Sequence, residues 1–363
     1  MRSRNFAFCI ILMLFFVSSE TLAAKTVEFR MANFFPSGSG QSIILSQFGK
    51  ELENLTAGRI KITYYHGGSL LSGAAMFDGL VSGVADIGYS HIFYTPGIMP
   101  VIEAVALPLG YPNGWVGSHV INDFYDKFKP QEFNDVHILW FHSGGSFSIF
   151  TKQPVSKAED LKGLVIRHVG RSAKVIKALG GSPAPTAMVE VYEAITKGVL
   201  DGVVLAPEGL QSWRLAEVIK YVTFAWQMGD CYPFFVAMNK KSYNKIPTEL
   251  KPIFDCLVGV YRERVSLAWN GFDLSGANFG LKHGVKFITL PPEDVENWRQ
   301  ATKPIIEEYV KEMVDKKGYS ETEVRLWIEF ALERKKYWTD KQKEWGVRSV
   351  SGPEGVRSEN LLQ

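Results

Sequence analysis

Arg167 stands in the middle of an apolar strand. The stretch 161–172 reads LKGLVIRHVGRS, and Val165, Ile166 and Val169 flank the arginine. Burying a bare guanidinium costs several kcal/mol, so this side chain needs a partner once it is inside. A protein carboxylate would make it a structural ion pair. A ligand carboxylate, held through two hydrogen bonds by the planar fork, would make it a binding group. The strand alone leaves both open.

Other chemistry is thin. The sequence contains no G-x-S-x-G, H-E-x-x-H or G-x-x-x-x-G-K-[ST] pattern, so nucleophile-elbow, zinc-hydrolase and P-loop chemistry have no anchor. Ser37–Ser42 (SGSGQS) before a helix could offer backbone amides to an anion, but it lacks the lysine of a nucleotide loop. His137 and His142 lie five apart on a strand pattern and face opposite ways, which argues against a shared metal. Phe34, Phe35, Tyr65, Tyr89, Phe141, Phe147 and Tyr232 fall at or just past strand ends. Ligands of open α/β sheets bind outside the carboxyl ends of strands, so these rings suit either the core or the walls of an apolar pocket.

The elements that would position these groups alternate. Val27–Met31 and Ile60–Tyr65 read as strands around a helix over Ser42–Leu55, whose apolar residues recur at helical spacing. Further strands are expected at Asp86–Tyr89, Val136–Phe141, Leu164–Val169, Gly202–Ala206 and Lys286–Leu290. Alternation of this kind predicts βαβ units in mostly parallel sheets. Phe77–Asp86 and Tyr192–Asp201 share a template: aromatic, acidic, small, aliphatic, two variable residues, Gly, Val, one more residue, Asp. The match suggests two lobes built alike, with Gly83 and Gly198 ending a helix before a strand. From Pro247 to Gly284 the spacing is helical, interrupted by Gly259, Gly271 and Gly276. A continuous helix there would reach about 50 Å and run across both lobes, or else break at a glycine. Glu293–Lys317 and Glu321–Lys343 read as amphipathic helices.

The 363 residues suffice for two domains, with 46% hydrophobic and 21% charged residues as in a soluble globular chain. A net charge of +2 gives no case for nucleic acid or an anionic membrane. Arg2 and Arg4, the apolar run Phe6–Val17 and the small residues Ala23 and Ala24 describe a secretory signal peptide removed near Ala23/Ala24. Cys231 and Cys256 then remain, either joined or free.

Several stretches resemble the solute-binding proteins of TRAP transporters, in the DctP-like branch. Asp160–Arg167 matches that family's D-L-K-G-hydrophobic-K-hydrophobic-R stretch, Leu179–Pro185 its L-G-A-x-P-x-P, and Glu190–Tyr192 with Gly198–Gly202 its E-V-Y and G-x-x-D-G. Pro233–Lys240 is similar to the strand that crosses back to the first lobe. The resemblance implies that Arg167 holds a substrate carboxylate. Two departures bear on the substrate. Leu205 replaces a ligand-bonding asparagine, and Phe147 stands where some relatives carry a second arginine. Both remove polar contacts.

The expected fold is therefore α/β, a two-lobed periplasmic binding protein (class II-like) with mixed, mostly parallel sheets and a long helix spanning both lobes. Residues 1–23 would be the signal peptide, 24–145 and 231–270 lobe I, 146–230 and 271–345 lobe II, and 346–363 a flexible tail. The expected function is capture of a small organic monocarboxylate, aromatic or apolar, and delivery to TRAP membrane permease subunits from the periplasm. The ligand-binding set is Arg167, Phe147, Tyr89, Ser90, Phe35, Leu205, Glu208 and Tyr232, with Glu208 and Tyr232 on the hinge side. No cofactor, metal, catalytic residue, nucleic acid or membrane embedding is expected. A soluble sensor of an organic acid, or a transferase using Arg167 to hold a substrate acid, are the rival readings.

Overall fold

A computed structural model describes residues 26–354 and 357. The signal peptide expected over 1–23 lies outside the described residues. The chain builds two mixed sheets. The first contains β1 (Val27–Asn33), β2 (Ile60–Tyr65), β3 (Ile87–His91), β4 (Val136–Ser143) and β10 (Pro233–Asn239), in the order β2-β1-β3-β10-β4. The second contains β5 (Ser148–Thr151), β6 (Val165–Arg167), β7 (Ser182–Ala184), β8 (Gly202–Leu205), β9 (Tyr221–Phe224) and β11 (Lys286–Thr289), in the order β11-β9-β5-β8-β6-β7.

Each sheet holds one antiparallel strand. β10 runs against β3 and β4, and β5 runs against β8 and β9. Both follow a strand of the other sheet, so the lobes exchange a strand each way; β11 also follows a strand of the other sheet, after the long helical segment, and pairs parallel with β9. The exchange places the crossings, residues 144–147 and 225–232, side by side between the lobes.

The repeated template has a structural counterpart. Helix α1 (Gly40–Leu55) is followed by α2 (Met76–Ser82), which ends at Gly83 with φ +80°. Helices α3 (Gly114–Phe128) and α4 (Ala173–Ala178) precede α5 (Val191–Thr196), which is followed by Gly198 at φ +75°. Such φ values favour glycine, which has no Cβ to clash. The closing aspartate then does the same work twice. Asp86 Oδ2 accepts the Arg30 N–H of β1 at 2.9 Å, and Asp201 Oδ2 accepts the Val165 N–H of β6 at 2.8 Å. Asp201 thereby fixes the start of the short strand that ends on Arg167.

The remaining helices are α6 (Gly209–Ser212), α7 (Lys240–Asn244), α8 (Lys251–Lys282), α9 (Pro292–Thr302), α10 (Pro304–Lys317) and α11 (Glu321–Trp345). Helix α8 is continuous over 32 residues. Its first half buries Phe254, Leu257, Tyr261, Val265 and Trp269 in the first lobe. Its second half meets the second lobe through Gly276 and Gly280, where a Cβ would come within 2.2 Å of the Pro207 carbonyl oxygen and 2.6 Å of Leu210 Cδ1. These glycines are contact points rather than breaks. The single helix expected over 293–317 is instead two, because Pro304 has no N–H to continue the ladder.

The C-terminal part departs from the expected division. Tyr309 and Met313 of α10, with Val324, Trp327 and Ala331 of α11, pack with Trp115 and Val120 of α3 in the first lobe's core, not in lobe II. The tail is also partly tied down. Asn270 Nδ2 donates to the Arg348 carbonyl, Asn113 Nδ2 to Ser349 Oγ, and Ser351 Oγ to the Pro112 carbonyl. Val350 is buried beside Phe224 and Ala277. Buried amides need acceptors, and the tail supplies them. Cys231 is buried, Cys256 is exposed, and both are free.

The two kinds of glycine in α8 give a test. Gly276→Ala should cost about 1–3 kcal/mol by forcing the lobes apart at Pro207. Gly271→Ala, where a Cβ meets nothing within 4 Å, should be neutral or stabilise by about 0.5–1 kcal/mol. Denaturant unfolding of the two variants measures both.

Candidate functional site

Arg167 ends β6 with 0% of its surface exposed. Its Nε donates to the Thr186 carbonyl at 2.9 Å, Nη1 to the Tyr232 hydroxyl at 3.2 Å and Nη2 to the Tyr94 hydroxyl at 3.4 Å. A guanidinium has five N–H groups, so two beyond these three bonds are left for another acceptor. Among the described residues no Asp or Glu pairs with it.

Arg171, four residues on, shows the contrast. Its side chain is also largely covered, 8% exposed, but Glu103 and Glu312 each approach it to 3.0 Å. That pairing joins the second lobe to the first and realises the structural reading of a buried arginine. Arg167 does not.

Tyr94 and Tyr232 help line a narrow cavity of about 20 Å³ between the lobes. From the first lobe its wall has Phe34 and Phe35 after β1, Gly144 after β4, Phe234 on β10 and Trp269 on α8. From the second lobe come Met188, Leu205, Ala206, Glu208 and Trp213. Most lie past the carboxyl ends of parallel strands. β10 is antiparallel, so its beginning reaches the same place. The rings pack on one another, with Phe34 stacked on Phe234 at 6.2 Å and Phe234 on Trp269 at 5.6 Å. Tyr232 has φ +45°, a left-handed conformation that costs a non-glycine residue about 1–3 kcal/mol, and in it the hydroxyl meets Arg167.

Charge around the cavity is one-sided. Burial, and then the Arg167 charge, hold His91 and His168 well below the usual imidazole range, so both stay neutral. Burial lowers His142 to about 3. Burial raises Tyr232, against the pull of Arg167, so it remains a phenol. Glu208 is pushed up to about 7 by burial, and burial also raises Asp273 well above the usual carboxylate range, against the hydrogen bond it accepts from the Glu208 backbone N–H. Near neutral pH, Arg167 is thus a buried cation without an anionic partner among the described residues.

Four of the expected site residues line the cavity: Phe35, Leu205, Glu208 and Tyr232. Arg167 reaches it through the two tyrosine hydroxyls. Three stand elsewhere. Ser90 points to the opposite face of β3 from Tyr89, and its Oγ donates to the Gly73 carbonyl at 2.7 Å. Tyr89 lies behind Phe35, ring centroids 5.2 Å apart, with its hydroxyl 2.8 Å from His142 Nε2. Phe147 is buried in the second lobe's core, edge-on to His168. Sequence reasoning missed Tyr94, Met188, Trp213 and Trp269. Tyr94 follows the end of β3 and was within reach of the strand-end rule. Trp269 was not, because a residue inside a long helix gives no local sign of which cleft the helix crosses.

Residues 31–312 match the family of bacterial extracellular solute-binding proteins, family 7. The chain belongs to this family, the solute-binding component of TRAP transporters, whose members are binding proteins and not enzymes. It is 25% identical over 251 residues to a monocarboxylate 2-oxoacid-binding periplasmic protein of Nostoc sp., covering 65% of this chain and 66% of that one. It is similar to a TRAP periplasmic solute-binding protein from Desulfovibrio salexigens, an open complex with the C-terminus of a symmetry mate in its ligand-binding site (27% identity, TM-score 0.75, 93% and 99% of the two chains). The same fold appears in a protein from Rhodoferax ferrireducens with copurified benzoate (24%, TM-score 0.80, 87% and 99%). It appears again in one from Roseobacter denitrificans with β-D-glucuronate (20%, TM-score 0.73, 84% and 99%). Among the described residues no helix is long and apolar enough to cross a membrane.

Glu208 provides a pH test of the site's dryness. Its value of about 7 in the folded chain lies above its ordinary 4.5, so the stability it contributes is full below about 4.5 and lost as pH rises through about 7. Glu208→Gln removes that loss. In thermal melts, the variant should gain on the wild type between about pH 5 and pH 8. A difference independent of pH would show that the carboxyl is solvated.

Proposed function

We propose that the protein captures a small organic monocarboxylate with an aromatic or apolar body and delivers it to a TRAP-type membrane permease. The acid's COO⁻ engages the two remaining N–H groups of Arg167, together with the Tyr94 and Tyr232 hydroxyls, and its body lies among Phe34, Phe35, Phe234, Trp213 and Leu205. Closure of the lobes buries the ligand by a hinge motion across the crossings at 144–147 and 225–232. The chain acts in the periplasm after removal of a leader ending near Ala23/Ala24.

One observation carries the reading: a fully buried guanidinium, with no carboxylate partner among the described residues, bonded to two tyrosines that line an aromatic cavity. The space between the lobes is about 20 Å³, so a ligand's body enters only as the lobes move apart. A single uncompensated cation suits one carboxylate rather than two. The absence of an asparagine at Leu205 and of an arginine at Phe147 favours an apolar body over a sugar acid.

Titration calorimetry with benzoate, phenylacetate, mandelate, pyruvate and D-glucuronate tests this. The aromatic or oxo monocarboxylates should bind and glucuronate should bind least. Arg167→Ala should weaken the best of them at least about tenfold, or 1.4 kcal/mol, while circular dichroism stays unchanged. Arg167→Lys should recover little, since an ammonium cannot make the forked contact. Retained affinity in Arg167→Ala contradicts the assignment.

A further inference from the structure

Apart from the two tyrosine hydroxyls, the side-chain polar groups on the cavity wall come from Glu208, Trp213 and Trp269. Glu208 is 4% exposed and Trp269 2%. Ser212 Oγ donates to Glu208 Oε2 at 2.5 Å, and the Glu208 carboxyl makes no ion pair among the described residues. The Trp269 indole N–H is buried and has no hydrogen-bond partner. An indole nitrogen can only donate, and a buried donor left unmet costs about 1–3 kcal/mol.

The two residues share one corner of the cavity. Trp269 and Asp273 stand one turn apart on α8 and so face the same way. Asp273 Oδ1 accepts the Glu208 N–H at 3.1 Å, and both Trp269 and Glu208 line the cavity. An orphan donor and a carboxyl without an ion pair among the described residues therefore line the same cavity, linked through Asp273.

We propose that this corner is a subsite for a hydroxyl on the body of the ligand, remote from its carboxylate: the hydroxyl oxygen accepts from Trp269 Nε1 and the hydroxyl proton goes to Glu208. The inference rests on the acid-capture reading and narrows it from apolar monocarboxylates to hydroxylated ones. A hydroxyl is chosen because it accepts and donates at once. An ammonium cannot accept from the indole, and a methyl or bare ring edge does neither. The apolar rest of the wall, with Phe34, Phe35 and Leu205, holds the carbon frame between the two polar ends.

Matched pairs test it by calorimetry: benzoate and phenylacetate against their meta- and para-hydroxy forms, with para-(aminomethyl)benzoate as the cationic control. In the wild type at least one hydroxy acid should bind about tenfold tighter than its parent. That ratio should fall toward one in Glu208→Leu and in Trp269→Phe. The wild-type ratio is read first and needs neither variant to fold. Hydroxy forms all within about threefold of their parents overturn the proposal, as does a preference that survives both substitutions, or tighter binding of the aminomethyl acid. If parents bind and hydroxy forms gain nothing, only the subsite falls. If neither parents nor hydroxy forms bind, the acid-capture reading falls and takes the subsite with it.

Discussion

The structure turns on an electrostatic imbalance at Arg167. A guanidinium with no exposed surface is held by two phenol hydroxyls and one carbonyl, none of which carries charge. Dipoles can orient and partly solvate such a cation, but they do not neutralise it. The neighbouring imidazoles are neutral, and Glu208, the acid on the cavity wall, is itself driven toward protonation by burial. Arg171 shows that this fold can supply carboxylates to a buried arginine when the purpose is to join the lobes. Their absence at Arg167 leaves the positive charge available to a guest.

Holding that charge in place requires both lobes. Arg167 and Thr186 come from the second, Tyr94 from the first, and Tyr232 from the crossing that leads back to it. The strand exchange makes this possible, since β5 and β10 each enter a sheet from the other side and bring the crossings beside the cavity. Helix α8 spans both lobes and fixes their spacing. Its Asp273 accepts the Glu208 N–H, and a Cβ on Gly145 would come within 1.7 Å of the same carboxylate. A side chain at 145 is thus excluded by the packing that aligns the lobes.

Much of this was legible because it is local. Alternating strands and helices, the Gly-to-Asp template and the apolar strand around Arg167 all depend on short-range pattern, and each has its counterpart in the fold. The losses are equally physical. Side-chain direction reverses at every strand residue, so adjacent Tyr89 and Ser90, both expected at the pocket, point to opposite faces of β3. Phe147 lies one residue before β5 and turns into the second lobe's core. Trp269 reaches the cavity only because α8 crosses it. The docking of α10 and α11 on the first lobe depends on contacts between residues some 200 positions apart, such as Arg334 with Asp123 (|i−j| = 211), which no window of sequence contains.

The most direct measurement is a crystal structure of the protein with the acid it retains through gentle purification, identified by mass spectrometry. The account predicts carboxylate oxygens within hydrogen-bond distance of the Arg167 guanidinium, enclosed by Tyr94 and Tyr232. Density placing the acid group elsewhere, with Arg167 still bonded only to Thr186 and the two tyrosines, would contradict it.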